Sequence, residues 1–451
     1  MNNAMHWSVI NNYYTVEQLR ELQLKRFRKI CEHAYQNSPA YRKLYIEKEF
    51  DPSQLKTIDD IRKVPIIDKS FISSTLDDTV YGSMLAVDAD DVFFYHQTSG
   101  TTSTPVCQPD TVTDWSFNGE GWAELMWEIG VRPHDRVMVA FNYNLFIGFW
   151  GAHYGCERVG AEVIAGGGLT SEQKLLKIKE LGVTVLALTP TYAFRLIEAA
   201  EKNKINLKTL KVRKIICAGE PGALIPSVKQ KLEEAWDCDV YDHIGATEVG
   251  PWGFECSAKC GSMHINESMF YPELIKMDSE EPITEPNEYG RVVITTFDRK
   301  ARPCIRFNTN DIACWAEEKC SCGSIYRMFK GGIQGRGDHI IKARGTFINP
   351  VVIENIIVNE ECVDREHRVL VNPSGNMLMV QVEALPGVEK KDYEKIAARL
   401  KKNIFNCTFL NFKIEMLPFG TLERSEAKSK KVIIVNDGLV GKARELNKKE
   451  K

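Results

Sequence analysis

The run Thr98-Ser99-Gly100-Thr101-Thr102-Ser103-Thr104-Pro105 directly follows the apolar segment VFFYHQ and gathers hydroxyl groups and backbone N–H donors around one glycine. Such a run can act as an anion cradle, because aligned donors wrap a polyphosphate without needing a large net charge. It is not a Walker A loop, since the lysine of G-x-x-x-x-G-K-[ST] is missing. Taken alone, it also reads as an ordinary polar turn. A second chemistry lies in Cys256, Cys260 and His264, followed by Cys320 and Cys322. Closely spaced thiols with an imidazole suit tetrahedral Zn2+. Five donors stand for four positions, and the competing reading is free thiols. A G-x-S-x-G nucleophile elbow and an H-E-x-x-H helix are both absent from the sequence.

These groups need a scaffold, and 451 residues are enough for at least two domains or one large α/β unit. With 43% hydrophobic and 26% charged residues the chain reads as an ordinary globular protein. A formal charge of -3 provides no global basic field for nucleic acid or an anionic membrane, so an anionic ligand must be gripped locally. The N-terminal segment lacks the basic-then-apolar pattern of a secretion signal, and no apolar run approaches a membrane span, so a cytoplasmic location is expected. Among the 13 cysteines, Cys107 and Cys217 read as small buried hydrophobes.

The first 50 residues read as helical, with a Thr15/Gln18 capping box and Leu19, Leu22, Phe27, Ile30 and Cys31 near helical spacing. From about 136 to 245, β-rich runs (RVMVAF, AEVIA, VTVLAL, KIICAG, DVYDHI) alternate with helical stretches such as Thr170 to Leu181, stopped by Gly182. That alternation predicts an α/β fold, a parallel sheet covered by helices. Ligands of such sheets sit at the carboxyl ends of strands, where the loops at 166–168, 219–221 and 245–248 fall. The glycine and charge cluster GGIQGRGDHIIKARG at 331–345 is the boundary candidate, and a small α+β domain of about 110 residues follows it. The basic run from Lys202 to Lys214 reads as a solvated face.

Seven segments in order carry a resemblance: LQLKRFRKICEHAYQNSPAYRKLY, the loop at 98–105, GEP at 219–221, GATE at 245–248, FNTND ending in Asp311, GRGDHIIKARG, and RSEAKSKK. Together they resemble the adenylate-forming acyl-ligase superfamily and, within it, the phenylacetate-CoA ligase family, over nearly the whole chain. The resemblance implies a large N-terminal adenylation domain, residues 1–337, and a small mobile C-terminal domain, residues 338–451, hinged at Asp338. It implies two reactions, formation of an acyl-adenylate from ATP and then of a thioester. The acid is expected to be small and aromatic, and the acceptor coenzyme A or the phosphopantetheine of a carrier protein.

In the family pattern Thr98, Ser99, Gly100, Thr101 and Thr102 hold the ATP phosphates. Glu248 helps hold Mg2+, an oxygen-liganded cation suited to phosphates. Asp311 accepts hydrogen bonds from the ribose hydroxyls, and Arg336 contacts phosphate or ribose. Ala218, Gly219, Glu220 and Pro221, with His243, Ile244, Gly245, Ala246 and Thr247, border the nucleotide and the acyl pocket. Tyr143, Phe146, Ala218, His243, Gly250 and Pro251 face the acid. Lys428 places positive charge on the transferring α-phosphate. The chain departs from the pattern at Ser103 and Ala427, where glycine is usual, and at Ile244, where tyrosine is usual. Zinc-bearing members show C…H…C-x-C, which favours Cys256, His264, Cys320 and Cys322 as a structural Zn2+ set with Cys260 in reserve. Family members are often homodimers. Two other classes compete. One is a nucleotide-binding scaffold without turnover, which the joint presence of Glu248, Asp311, Arg336 and Lys428 disfavours. The other is a nicotinamide enzyme, for which the G-x-G-x-x-G turn is lacking.

Overall fold

The computed structural model describes residues 5–77, 79–98, 105–220, 222–337, 341–343, 346–348, 350–372, 377–408, 410–422 and 432–435. Ser99 to Thr102, Pro221, Asp338 and Lys428 lie outside these residues. The chain divides into two compact units, Met1–Leu224 with Leu232–Ile333, and Ile225–Lys231 with Gln334–Lys451.

The first unit begins with the capped helix Val16–Asn37, whose Thr15 side chain accepts from Gln18 N while Gln18 reaches back to the cap. Strands β1 (Phe94–Gln97) and β2 (Cys107–Asp110) then pair antiparallel, with Gln97 opposite Cys107. Five strands, β3 (Arg136–Val139), β4 (Glu162–Ala165), β5 (Val185–Leu188), β6 (Lys214–Cys217) and β7 (Asp239–Ala246), lie parallel in the order β4-β3-β5-β6-β7. Strand β5 is buried at every position, as expected where helices cover both faces. The alternation read from the sequence is thus present as a parallel α/β sheet.

Beyond β7 the sheet turns antiparallel through β8 (Gly250–Phe254) and β9 (Ser262–Ile265). A separate antiparallel meander follows, β10 (Phe270–Ile275), β11 (Tyr289–Thr296) and β12 (Phe307–Cys314). Strand β13 (Met328–Lys330) returns to pair with β9 and completes eight strands.

Two helix stops match their sequence signals. Gly182 ends Ser171–Leu181 at φ 61°, and Gly130 ends Val112–Ile129 at φ 93°. Both angles lie in the left-handed region, which glycine enters without a Cβ penalty.

The second unit is an α+β layer. Its four-stranded sheet runs Lys413–Leu417, Leu378–Ala384, Val363–Val371, Val432–Ile434, with helices Pro350–Val358 and Tyr393–Thr408. Ile353, Val369, Val380, Val382, Leu400 and Phe412 form its core. Among the described residues no helix is long and apolar enough to cross a membrane.

The helix Val112–Ile129 buries a carboxyl in the first unit. Glu124 accepts from Tyr326 Oη at 3.0 Å and from Asn266 Nδ2 at 2.8 Å. Burial, reinforced by the nearby Glu128 charge, pushes it up from 4.5 to about 8. The folded state therefore holds a proton that the unfolded chain has released, so this group's contribution falls as pH rises between those values. Glu124→Gln removes that titration. Its melting temperature relative to the parent should climb from about pH 5 to about pH 8, and a constant difference in scanning calorimetry across that range would contradict the assignment.

Candidate active site

The hydroxyl-rich run opens from the β1–β2 hairpin, and its stem is closed by reciprocal bonds. Thr98 N donates to Val106 O, and Val106 N donates to Thr98 Oγ1, both at 3.0 Å. Asp110, at the far end of β2, grips Arg299 bidentately, with Nε–Oδ1 2.6 Å and Nη2–Oδ2 2.7 Å. Both side chains are almost fully buried. Arg299 Nη1 then donates to Thr247 O at 2.8 Å, and Cys304 Sγ meets Glu248 O at 3.1 Å. The strand that closes the hydroxyl-rich run and the T-E turn are therefore tied through one guanidinium. Burial alone disfavours that cation, and the adjoining Asp110 carboxylate more than offsets it. Asp114 adds a cap by accepting from Lys300 N and Ala301 N. His96 stacks on Trp115 beside this pair, and burial pushes it down to about 4.

Of the remaining predicted residues, Ala218, Gly219 and Glu220 follow the carboxyl end of β6, and His243 to Ala246 end β7. Ala218 N bonds Leu188 O, and Gly219 turns at φ 88°, a conformation suited to glycine. The Glu220 side chain accepts from Thr191 N at 2.8 Å, at the start of the helix Pro190–Lys202, so its carboxylate is engaged in capping. Strand β7 carries His243, Ile244, Gly245 and Ala246 into the T-E turn, with a register shift between Ile244 and Gly245. Glu248 is buried. Ala246 stands opposite Gly250, and Gly245 opposite Pro251. Asp311 lies half-buried on β12, after Asn310 at φ 64°. Tyr143 Oη lies 3.2 Å from His153 Nδ1, and Phe146 meets Phe149 edge-on. Arg336 is half-buried and belongs to the second unit, which is described by itself.

Residues 12–296 match the AMP-binding enzyme family, and residues 345–434 match the C-terminal domain of AMP-binding enzymes. The chain belongs to the AMP-binding enzyme family. It is similar to the phenylacetate-coenzyme A ligase of Aromatoleum evansii, 30% identical over 92% of this chain and 94% of that protein. The Pseudomonas putida phenylacetate-coenzyme A ligase is 29% identical over 92% and 94%. Among solved structures it is similar to 2-hydroxyisobutyryl-CoA ligase in the postadenylation state with 2-HIB-AMP, with a TM-score of 0.91 and 26% identity, covering 96% of this chain and 93% of that one.

This AMP-binding enzyme also gathers the soft donors found in its sequence. Ligand atoms of Cys256, Cys260, His264 and Cys320 all lie within 4.8 Å of one another. Cys256 Sγ and Cys320 Sγ are 3.5 Å apart, and Cys322 Sγ is 3.5 Å from His264 Nε2. This group differs from the family-derived set by one thiol, with Cys260 in it and Cys322 adjoining His264. The cluster forms where the β8–β9–β13 edge brings Phe254 and Met328 to either side of His264.

Sequence reasoning missed Asp110 and Arg299. The clamp partners lie 189 residues apart, and no local spacing signals such a pair. Removing one partner of a buried ion pair strands the other charge, at a cost of about 3–5 kcal/mol. Arg299→Met should therefore lower the unfolding free energy from denaturant titration by that order, with the double variant Asp110→Leu/Arg299→Met recovering part of the loss. A single variant as stable as the parent would remove the clamp from this account.

Proposed function

We propose that this AMP-binding enzyme is an acid–coenzyme A ligase that activates a small aromatic carboxylic acid as its adenylate and then transfers the acyl group to coenzyme A. The observation that carries the reading is the clamp that ties the stem of the hydroxyl loop to Thr247 and Glu248, in a chain with this family membership. An in-line displacement needs its phosphate donors and its T-E turn held in one fixed geometry, and positioning with charge stabilisation supplies most of the rate.

In this reading the carboxylate oxygen attacks the α-phosphorus of ATP, the bond to the β-phosphate oxygen breaks, and pyrophosphate leaves. The thiol then adds at the acyl carbon, its proton passes to solvent or a base, and AMP leaves. Thr98 to Thr102 cradle the phosphates, Asp311 orients the ribose, and Arg336 and Lys428 bring positive charge. The backbone of Ala218 to Pro221 and His243 to Thr247 borders nucleotide and acid. Tyr143, Phe146, Gly250 and Pro251 shape the acid pocket. Asp338 is the pivot between an adenylation domain, 1–337, and a mobile domain, 338–451. Glu248 would hold Mg2+, which when bound neutralises phosphate charge. The location proposed is the cytoplasm, and a homodimer fits the family habit.

Zinc fits the thiol and imidazole cluster. Thiolate sulfurs around a tetrahedral ion at about 2.3 Å stand somewhat under 4 Å apart, the separation that Cys256 and Cys320 nearly show. Cys256, Cys260, His264 and Cys320 would hold the ion, with Cys322 the alternate fourth ligand, and a four-ligand site is closed and structural. Purified protein should carry one zinc per chain by elemental analysis. Cys256→Ser should lose the ion and melt earlier, and comparing Cys260→Ser with Cys322→Ser identifies the fourth ligand. Metal-free protein with an unchanged melting temperature would refute the site.

The reading is tested by pyrophosphate release from ATP and Mg2+ across a panel of aryl and alkyl acids, with and without coenzyme A. Acid-dependent release and a thioester formed only with coenzyme A are expected, and Lys428→Ala should abolish release while ATP still binds. Release without a thioester would move the acceptor to a carrier-protein phosphopantetheine. No release with any acid would leave a nucleotide-binding scaffold, and full turnover by Lys428→Ala would displace that lysine from its role.

A further inference from the structure

His243 differs from the other residues of the T-E strand in having a side chain whose protonation is settled by geometry. Its Nδ1 lies 2.8 Å from Gly253 O. A carbonyl oxygen only accepts, so Nδ1 carries the proton and donates. In a neutral imidazole the other nitrogen is then a bare acceptor. The ring is 5% exposed, and burial holds it neutral by pushing its pKa down to about 4.

The acceptor Nε2 has no hydrogen-bond partner among the described residues. It stays uncovered because position 245 is glycine, where a Cβ would lie 3.2 Å from Nε2 and 2.9 Å from Gly250 O. The register shift between Ile244 and Gly245 turns the strand at this point, as bulges do where a side chain must be re-aimed.

The ring also packs against an aromatic side chain. Trp122 packs against it with centroids 4.4 Å apart. The indole is seated on the helix Gly148–Val159 through two glycines. A Cβ at Gly151 would fall 2.5 Å from Trp122 Nε1, and one at Gly155 2.5 Å from Trp122 Cβ. That helix directly follows Tyr143 and Phe146, the aromatic wall given above to the acid. A fixed, neutral acceptor with no protein partner in such a place is available to a donor group on a bound ligand.

We infer that His243 is a specificity-determining residue that selects carboxylic acids bearing a hydroxyl group, whose O–H donates to Nε2. The inference rests on the ligase reading above and narrows its substrate class from aromatic acids in general to hydroxylated ones. A site built to pair a substrate hydroxyl discriminates strongly against the analogue that lacks it, because the buried partner is then stranded.

The test uses the full-length protein and pairs of acids that differ by one hydroxyl: phenylacetic acid with its ring- and α-hydroxylated forms, and benzoic acid with the hydroxybenzoic acids. Pyrophosphate release should favour at least one hydroxylated member by about tenfold or more in kcat/KM. His243→Phe should cancel that preference while KM for ATP stays within about twofold, and His243→Gln, which keeps an acceptor oxygen, should retain part of it. Absence of any hydroxyl preference in the parent would overturn the inference. So would a preference that survives His243→Phe, or a loss in His243→Phe that appears as a raised KM for ATP with every acid alike. No release with any acid would instead overturn the ligase reading on which the inference stands, an outcome distinct from release without preference.

Discussion

The bidentate pair between Asp110 and Arg299 is the constraint on which the candidate site depends. Two charges taken out of water are unfavourable unless each meets a well-placed partner. Here the carboxylate receives two guanidinium bonds, and the third arm of Arg299 ends on Thr247 O. The interaction joins β2, the T-E turn and the loop between β11 and β12, three segments distant in sequence. Asp114 and Cys304 fasten the same loop from either side. Without such a tie, strand β2 would have no fixed relation to the T-E turn.

The second organising feature is neutrality. Both histidines beside the candidate site, His96 and His243, are held uncharged by burial. At the clamp the positive charge is that of Arg299, and arginine stays protonated when buried and bonds in a fixed plane. Guanidinium ties the frame together, while neutral imidazole rings pack against indoles, His96 on Trp115 and His243 on Trp122.

The zinc-type cluster shows how edge strands bring distant residues together. Cys256 and Cys260 follow β8, His264 lies on β9, and Cys320 precedes β13. Antiparallel pairing of β9 with both β8 and β13 places these donors at one sheet edge. A closed metal site there would secure an edge otherwise held by strands of three to five residues.

The fold class was legible because its signals are local. The Thr15/Gln18 and Thr170/Gln173 boxes, the stop at Gly182 and the short apolar runs of β3, β5 and β6 depend on neighbours within a few residues. The T-E strand, Asp311 and the soft donors were visible as motifs, because their chemistry requires particular residue types at particular spacings. Tertiary structure alone decided the rest. It paired Asp110 with Arg299, spent the Glu220 carboxylate on a helix cap, gathered Cys260 with Cys256, His264 and Cys320, and set His243 Nδ1 on Gly253 O. Each of these depends on where the backbone places a partner far away in sequence, such as Gly253 O or Thr247 O. Hydrogen-bond and ion-pair energies depend on distance and burial, and neither is encoded in the spacing of residues along one segment.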